Sequence, residues 1–509
     1  MATLKFLLDT NIVIGLEDDH IVGDRFSRFL EKCHANGCRV FVHEASRDDI
    51  LRDTNASRRR ITLSKLKKFE TLRRAKLPSA NKLETVFGPI KNENDAIDVE
   101  LLFSLRRNVV DFLVTEDKGL TRRGYNVDLG RRIFNISEAE TFVRNTFEPH
   151  PISLPSIVEQ GVYQLDETDP IFASIRQDYP GFDAWFQKCI RDHRLCWTVS
   201  LNGKLGAILI FKQENQTEAG LDNLGDKVFK ICTLKVGDNA RGEKFGEQLL
   251  KQCLWYAQRN VFELVYLTVF PKQQALILMI GRLGFEETKT LSDGQIVFEK
   301  VMKPGDLGDQ RAIAPLAVHR KHYPRFLDHH MIRKFCVPIR PKWHERLFPE
   351  LQGVEASSLP NGAISQGQSG RPGNTIRKVY ICRARTGSLR AGDILLFYKT
   401  KGFETNLSQM ITTVGIVERV RVTKDLRELL RLTGKRSVFS DTELRQMIDE
   451  RDTPVVVIDF LLAGHLKEAV PLSRAERLGV LRAWPQTIGR VPDKGYRKLR
   501  KEVLLGWEH

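Results

Sequence analysis

The sequence predicts an α/β multidomain protein: a parallel-sheet α/β/α domain, then an α+β domain, then a small β-barrel with helices. Three observations lead there. Through residue 147, short apolar runs ending in acids alternate with helix-like segments, the pattern of parallel strands buried on both faces. In the middle, the hairpin signal Asn202-Gly203 and a glycine-bearing turn that opens a helix sit among further strands. In the last third, short strands are separated by turn residues, and a barrel is their economical closure. A chain of 509 residues should hold two to four domains.

The first domain starts at Leu4-Lys5-Phe6-Leu7-Leu8-Asp9-Thr10-Asn11, an apolar run that delivers Asp9 at its C-terminal end. In a parallel sheet that end is the ligand-binding rim. Thr10 and Asn11 can cap the helix that follows. Arg39 to Glu44 is a second such run, and Asp111 to Asp117 a third. Asn92 to Asp98 opens a helix whose apolar face continues through Leu101, Leu102 and Leu105. Asp95 and Asp98 share one helical face. Carboxylates brought together from these places repel and favour a divalent cation, and hard oxygen ligands suit Mg2+ or Mn2+. Ile133 to Ile136 supplies a last strand and Glu138 to Phe147 a closing helix.

This set of acids resembles the PIN domain, a family of metal-dependent nucleases. The resemblance covers residues 1–147 and rests on Leu8-Asp9-Thr10-Asn11, Glu44, Asp95 or Asp98, and Val114-Thr115-Glu116-Asp117. It implies Asp9, Glu44, Asp98 and Asp117 as catalytic residues, and Asp9, Asp95, Asp98 and Asp117 around one metal ion or two.

Composition narrows the partners. The formal net charge is +16 and the pI about 9.4, which favours an anionic polymer. Between Arg47 and Lys76 a basic stretch reads as helix over an apolar stripe of Ile61, Leu63, Leu66, Phe69 and Leu72, with a basic face able to track a phosphate backbone, RNA first. No apolar run is long enough to cross a bilayer, and the N-terminus enters a strand with no signal-peptide pattern. The eight cysteines contain no Cys-x-x-Cys. This argues for reduced thiols in a cytoplasm and against a zinc ribbon or disulfide framework.

Pro149, Pro151 and Pro155 punctuate a boundary. Trp197 to Leu201 and Leu205 to Lys212 form the hairpin, and Val228 to Leu234 another strand. Arg241-Gly242-Glu243-Lys244-Phe245-Gly246 then runs into a helix through Ala257. Backbone N–H groups and a positive dipole end at such a turn suit pyrophosphate. A strand from Glu263 to Phe270, a helix to Arg282 and Leu283-Gly284-Phe285 follow. This order resembles the GNAT acyltransferase family over residues 152–302. It implies an acetyl-CoA pyrophosphate cradled by Arg241, Gly242, Lys244, Phe245 and Gly246. Two departures stand out: Lys244 replaces a customary glycine, and Ile280 falls where the family's tyrosine acid is expected.

Residues 303–376 read as a basic, His-rich bridge and linker, including His319, His322, His329, His330, Lys334, Cys336 and His344, with no zinc spacing. The histidines there are expected to face solvent or phosphate. Gly353 to Asn374 reads as a flexible linker or long loop. In residues 377–509, Lys378 to Cys382, Ile394 to Tyr398 and Thr412 to Arg421 read as strands. Gly392-Asp393 and Val414-Gly415-Ile416-Val417-Glu418 resemble PUA-like and EVE-type domains, which implies RNA or modified-base binding near Tyr398 and Lys399. The basic, aromatic-interleaved tail suits nucleic acid or a closing amphipathic helix.

The reading from sequence is a metal-dependent endoribonuclease carrying an acetyl-CoA-binding domain, with a toxin-like role suggested by what both families often do. The alternative is an N-acetyltransferase whose flanking domains deliver substrate, and a third is a nucleic-acid-binding protein without turnover. An antitoxin or a second copy of the chain leaves no readable signature.

Overall fold

The computed structural model describes residues 3–14, 21–52, 54–147, 157–201, 203–223, 225–302, 314–351, 375–383, 388–402, 408–449 and 453–508. The Pro149–Pro155 boundary, Asn202 and the 353–374 linker lie outside the described residues. The chain forms two compact units: 1–150 with 423–455, and 151–422 with 456–509.

The first unit holds a parallel sheet of β1 (Lys5–Leu8), β2 (Arg39–His43), β3 (Glu70–Leu72), β4 (Phe112–Val114) and β5 (Ile133–Phe134), in the order β3-β2-β1-β4-β5. Both faces are buried. On one, Phe6, Phe112 and Phe134 stack at 5.4 and 5.0 Å, with Phe142 of the helix Ile136–Phe147 over them. On the other, Leu7 and Leu113 meet Leu101, Leu102 and Leu105 of the helix Glu93–Arg106. The order reverses between β1 and β4, and such a switch point opens a crevice at the strands' carboxyl ends.

Two expectations for this unit are corrected. The basic helix ends at Leu66, and Leu72 lies in the edge strand β3. Ile61 is exposed, so the proposed apolar stripe does not exist as one face. The unit also takes in helices Leu426–Thr433 and Asp441–Asp449 from the C-terminal part of the chain. Their anchor is Asp111, fully buried, which accepts hydrogen bonds from the Lys5 amide (2.8 Å), Arg427 (2.8 Å) and Arg431 (2.7 Å). A buried carboxylate persists only when paired in this way.

The second unit carries two sheets. The first contains β6 (Val158–Gly161), β7 (Leu195–Leu201), β8 (Lys204–Glu214), β9 (Val228–Val236), β10 (Leu264–Val269), β11 (Glu286–Thr290) and β12 (Ile296–Val301), in the order β11-β12-β10-β9-β8-β7-β6. Only β9 and β10 pair in parallel; the other described pairings are antiparallel. Helices Ala173–Asp178 and Phe182–Arg191 cover one face through Ile175, Phe182 and Phe186, and helix Phe245–Arg259 covers the other through Leu249, Leu250 and Leu254.

The other sheet contains β13 (Lys334–Ile339), β14 (Arg377–Cys382), β15 (Ile394–Lys399), β16 (Met410–Thr423), β17 (Val455–Pro471) and β18 (Gly489–Val491), in the order β14-β17-β16-β15-β13-β18. β14 and β18 are its ends, so the described pairings leave a sheet where a barrel is expected. Residues 334–339, expected in a bridge, pair in parallel with β15. His319 and His344 are buried, not solvated: His344 Nε2 lies 2.7 Å from Thr412 Oγ1. Tyr398 is core, and Lys399 pairs with Glu345 at 3.1 Å.

The second compact unit includes residues on both sides of 302 and 376. One apolar core runs from Trp197 to Trp507 across both sheets. Tyr323 joins them, accepting from Trp255 Nε1 at 3.1 Å and donating to the Leu462 carbonyl at 3.0 Å. The buried Lys251 ammonium pairs with Glu350 in the same region. No helix among the described residues is long and apolar enough to cross a membrane.

Candidate functional sites

The parallel register of β9 and β10 runs from Val228 opposite Leu264 to Ile231 opposite Leu267 and stops. Beyond it the strands part, and a cavity of about 660 Å3 opens between Cys232–Lys235 and Leu267–Phe270. Backbone groups that would otherwise pair face this space. The helical side contributes Ile175, Tyr179, Phe182 and Trp185, and Gln273 and Leu276 close one end.

β9 leads directly to the glycine-bearing turn. Lys244 caps the helix Phe245–Arg259 in a left-handed conformation, φ 64° and ψ 19°. That conformation suits glycine and costs a side-chain-bearing residue about 1 kcal/mol, which explains the expected glycine. At Gly246, an added Cβ would stand 3.3 Å from Val236 Cγ2, so a small residue keeps the helix start against β9. At the helix start the Gln248 amide donates to the Lys244 carbonyl at 3.1 Å. Amides before it lack intrahelical acceptors and suit an anion. Arg241 pairs with Asp238 at 2.8 Å at the turn's exposed edge.

Ile280 is fully buried and has no proton to give. Sequence reasoning missed Tyr179, which lines the cavity. Burial raises its phenol above the ordinary range, the Asp178 charge adds to this, and a hydrogen bond with Gln273 opposes it. Nothing local marks Tyr179 as a site residue, because it reaches β10 only through the fold.

In the first unit, Asp9 lies at the end of β1, 7% exposed. Its Oδ2 accepts from Thr115 Oγ1 at 2.6 Å and from Asn11 at 2.8 Å, and its Oδ1 from the Thr10 amide at 2.7 Å. Burial pushes its pKa up to about 6 against these bonds, with Asp117 and Asp49 adding to the rise. Asp98 is pushed up to about 7 by burial, then by Asp9 and Asp117, with Arg123 opposing. The charges of Asp9 and Asp117 thus act on Asp98, and that of Asp117 acts on Asp9. Asp49 joins them unforeseen, from the helix Glu44–Leu51.

Asp95 and Glu44 are engaged elsewhere, and Asp117 also caps a helix. Asp95 Oδ1 accepts from Arg123 and its Oδ2 from the Lys91 amide, each at 2.8 Å. Glu44 is exposed and accepts from the Arg74 amide at 3.0 Å. Asp117 caps the helix Lys118–Asn126 through the Leu120 amide at 2.6 Å. Among the described residues no group of three or more His, Cys, Asp or Glu side chains is placed to hold a metal ion. Asp95 and Glu44 are drawn into bonds of their own, so the expected Mg2+ or Mn2+ set is incomplete.

The class these observations define is a protein carrying a GNAT acetyltransferase domain: residues 160–285 match the model of the acetyltransferase (GNAT) family. That match covers a minor part of the chain. No curated protein matches the sequence. Among solved structures, the chain is similar to ASCH from Zymomonas mobilis, at 10% identity and TM-score 0.25 over 34% of this chain and 96% of that one. It is similar to the ribosomal-protein-S18-alanine N-acetyltransferase of Escherichia coli, at 18% identity and TM-score 0.23 over 30% and 97%. It is also similar to an N-acetyltransferase of Staphylococcus aureus Mu50, at 19% identity and TM-score 0.20 over 24% and 75%. At TM-scores this low, these likenesses carry no argument about what the chain does.

Proposed function

We propose that the chain is an acetyl-CoA-dependent N-acyltransferase working in the cleft between β9 and β10. The parting of these strands beyond Ile231 and Leu267, beside a turn suited to pyrophosphate, carries the reading. Arg241, Gly242, Lys244, Phe245 and Gly246 form the turn that would hold the CoA pyrophosphate. The acyl end would reach the cavity. There the lone pair of an amine attacks the thioester carbonyl, the C–S bond breaks, and the amine's proton ends on the CoA sulfur. Tyr179, which lines the cavity, would hand a proton to that sulfur and be reprotonated from the amine. Calorimetry with acetyl-CoA, followed by measurement of CoA release with amines, tests this; absence of acetyl-CoA binding would refute it.

A second reading, RNA hydrolysis by a PIN-type first unit, is favoured by one observation: Asp9 stands at the β1–β4 switch point within range of Asp98 and Asp117. RNA incubated with Mg2+ or Mn2+, with and without chelator, tests it. Cleavage that persists undiminished in Asp9→Asn, or no cleavage by the wild type, rejects it. In either reading the basic charge suits an RNA partner, with the C-terminal sheet in a PUA-like role, and the scattered cysteines suit the cytoplasm.

A further inference from the structure

The cavity wall is cationic. Lys188, Arg194, Lys212, Lys230 and Lys235 line it, against Asp178 and Asp293. Both acids are engaged. Asp178 pairs with Lys272 at 2.5 Å, and Asp293 accepts from the amide and side chain of Gln295 at 3.0 and 2.6 Å. Lys235 feels Asp238 and Arg241 and so belongs to the phosphate-turn end. Lys212 and Lys230 share one carboxylate, Glu214, at 2.5 and 3.6 Å, and that carboxylate also accepts from the Tyr266 hydroxyl.

Arg194 is the most telling of these. Its side chain is 8% exposed. Nη2 donates to Asp192 at 2.9 Å and Nη1 lies 3.8 Å from Cys232 Sγ. Its Nε is buried with no hydrogen-bond partner. An unsatisfied buried donor is costly, and more so on a charged group. A guanidinium at the wall of a cavity matches the planar, two-oxygen edge of a carboxylate or phosphate.

We propose that the acyl acceptor is an amine that also bears a carboxylate or phosphate, with Arg194 as the anion's principal contact. Lys188, Lys212 and Lys230 supply the surrounding positive field. This rests on the acyltransferase reading and names its substrate class. The reaction is R–NH2 plus acetyl–S–CoA giving R–NH–acetyl plus CoA–SH: the C–N bond forms, the C–S bond breaks, and the amine proton is taken up by sulfur. Polyamines and lysine-rich peptides meet like charge at this wall and are disfavoured.

The two claims separate experimentally. Calorimetry with acetyl-CoA alone tests the acyltransferase reading. The acceptor arm measures binding to the CoA-loaded protein, and CoA release from acetyl-CoA, for glutamate, O-phosphoethanolamine, ethanolamine and spermidine. An anionic amine is expected to exceed ethanolamine by about tenfold or more in kcat/KM, with spermidine inactive. Preference for glutamate assigns the anion as carboxylate, and preference for O-phosphoethanolamine as phosphate. Arg194→Met should lower the anionic amine's kcat/KM by about tenfold, by a larger factor than for ethanolamine, and Arg194→Lys should recover part. Lys212→Met, at a partly exposed position, gives a smaller loss in the same direction and serves if Arg194→Met does not fold. Equal or better use of ethanolamine or spermidine, unchanged kinetics in both variants, or no binding of either anionic amine overturns the proposal.

Discussion

The Tyr179 ring lies against Phe270, with centroids 5.1 Å apart and planes inclined at 42°. Tyr179 ends the helix Ala173–Asp178 and Phe270 follows β10, so the contact ties the helical face to the parted strand. Tyr179→Phe keeps the ring and removes the proton. Acyl-transfer kcat should fall about tenfold to a hundredfold, with KM for acetyl-CoA unchanged. An unchanged kcat would remove Tyr179 from the chemistry.

Lys244→Gly should stabilise the protein. The left-handed backbone at this position disfavours a Cβ, and glycine relieves about 1 kcal/mol, a rise of about 2–4 °C in Tm. Acetyl-CoA affinity should change less than about threefold, because backbone amides carry the phosphates. A lower Tm in thermal melts would contradict the strain argument.

Lys300 is buried on β12 and donates to the Lys321 carbonyl at 2.7 Å. Burial pulls its pKa from 10.5 down to about 7, with Lys321 pulling the same way and Glu286 opposing. Between those values the unfolded chain binds the proton and the folded chain does not, so stability rises with pH across that window. Lys300→Met should be more stable than wild type by about 2–4 kcal/mol at pH 6, with the gain shrinking toward pH 10. Melts at both pH values decide this; a gain that does not shrink counts against it.

Asp111→Ala strips Arg427 and Arg431 of a shared buried partner. The first unit should lose about 3–5 kcal/mol, and limited proteolysis should then cut within residues 423–455. If those residues stay protected, Asp111 is not their anchor.

Much of the parallel sheet was legible. β1, β2 and β4 are apolar runs with polar punctuation, and Asn92 caps the helix carrying Asp98 by accepting from the Asp95 amide at 2.8 Å. β3 was not, because a three-residue edge strand in a basic run carries no period. β13 was hidden for a similar reason: Lys334 and its basic neighbours mask a strand that the sheet buries. For the expected acids, the sequence marked Asp9 and Asp117, whose charges act on Asp98, but no local pattern showed that Arg123 and the Lys91 amide engage Asp95.

By itself the sequence determined where the main strands run, which acids stand at their ends and where the glycine-bearing turn opens. These features come from alternation, caps and turn residues, which act within a few neighbours. Only the tertiary structure decided that residues 423–455 belong with the first unit, that the middle and C-terminal sheets share one core, and that Tyr179 and Arg194 line one cavity. Those outcomes depend on pairing buried charge and packing apolar surface between residues far apart in the chain, and no local pattern encodes them.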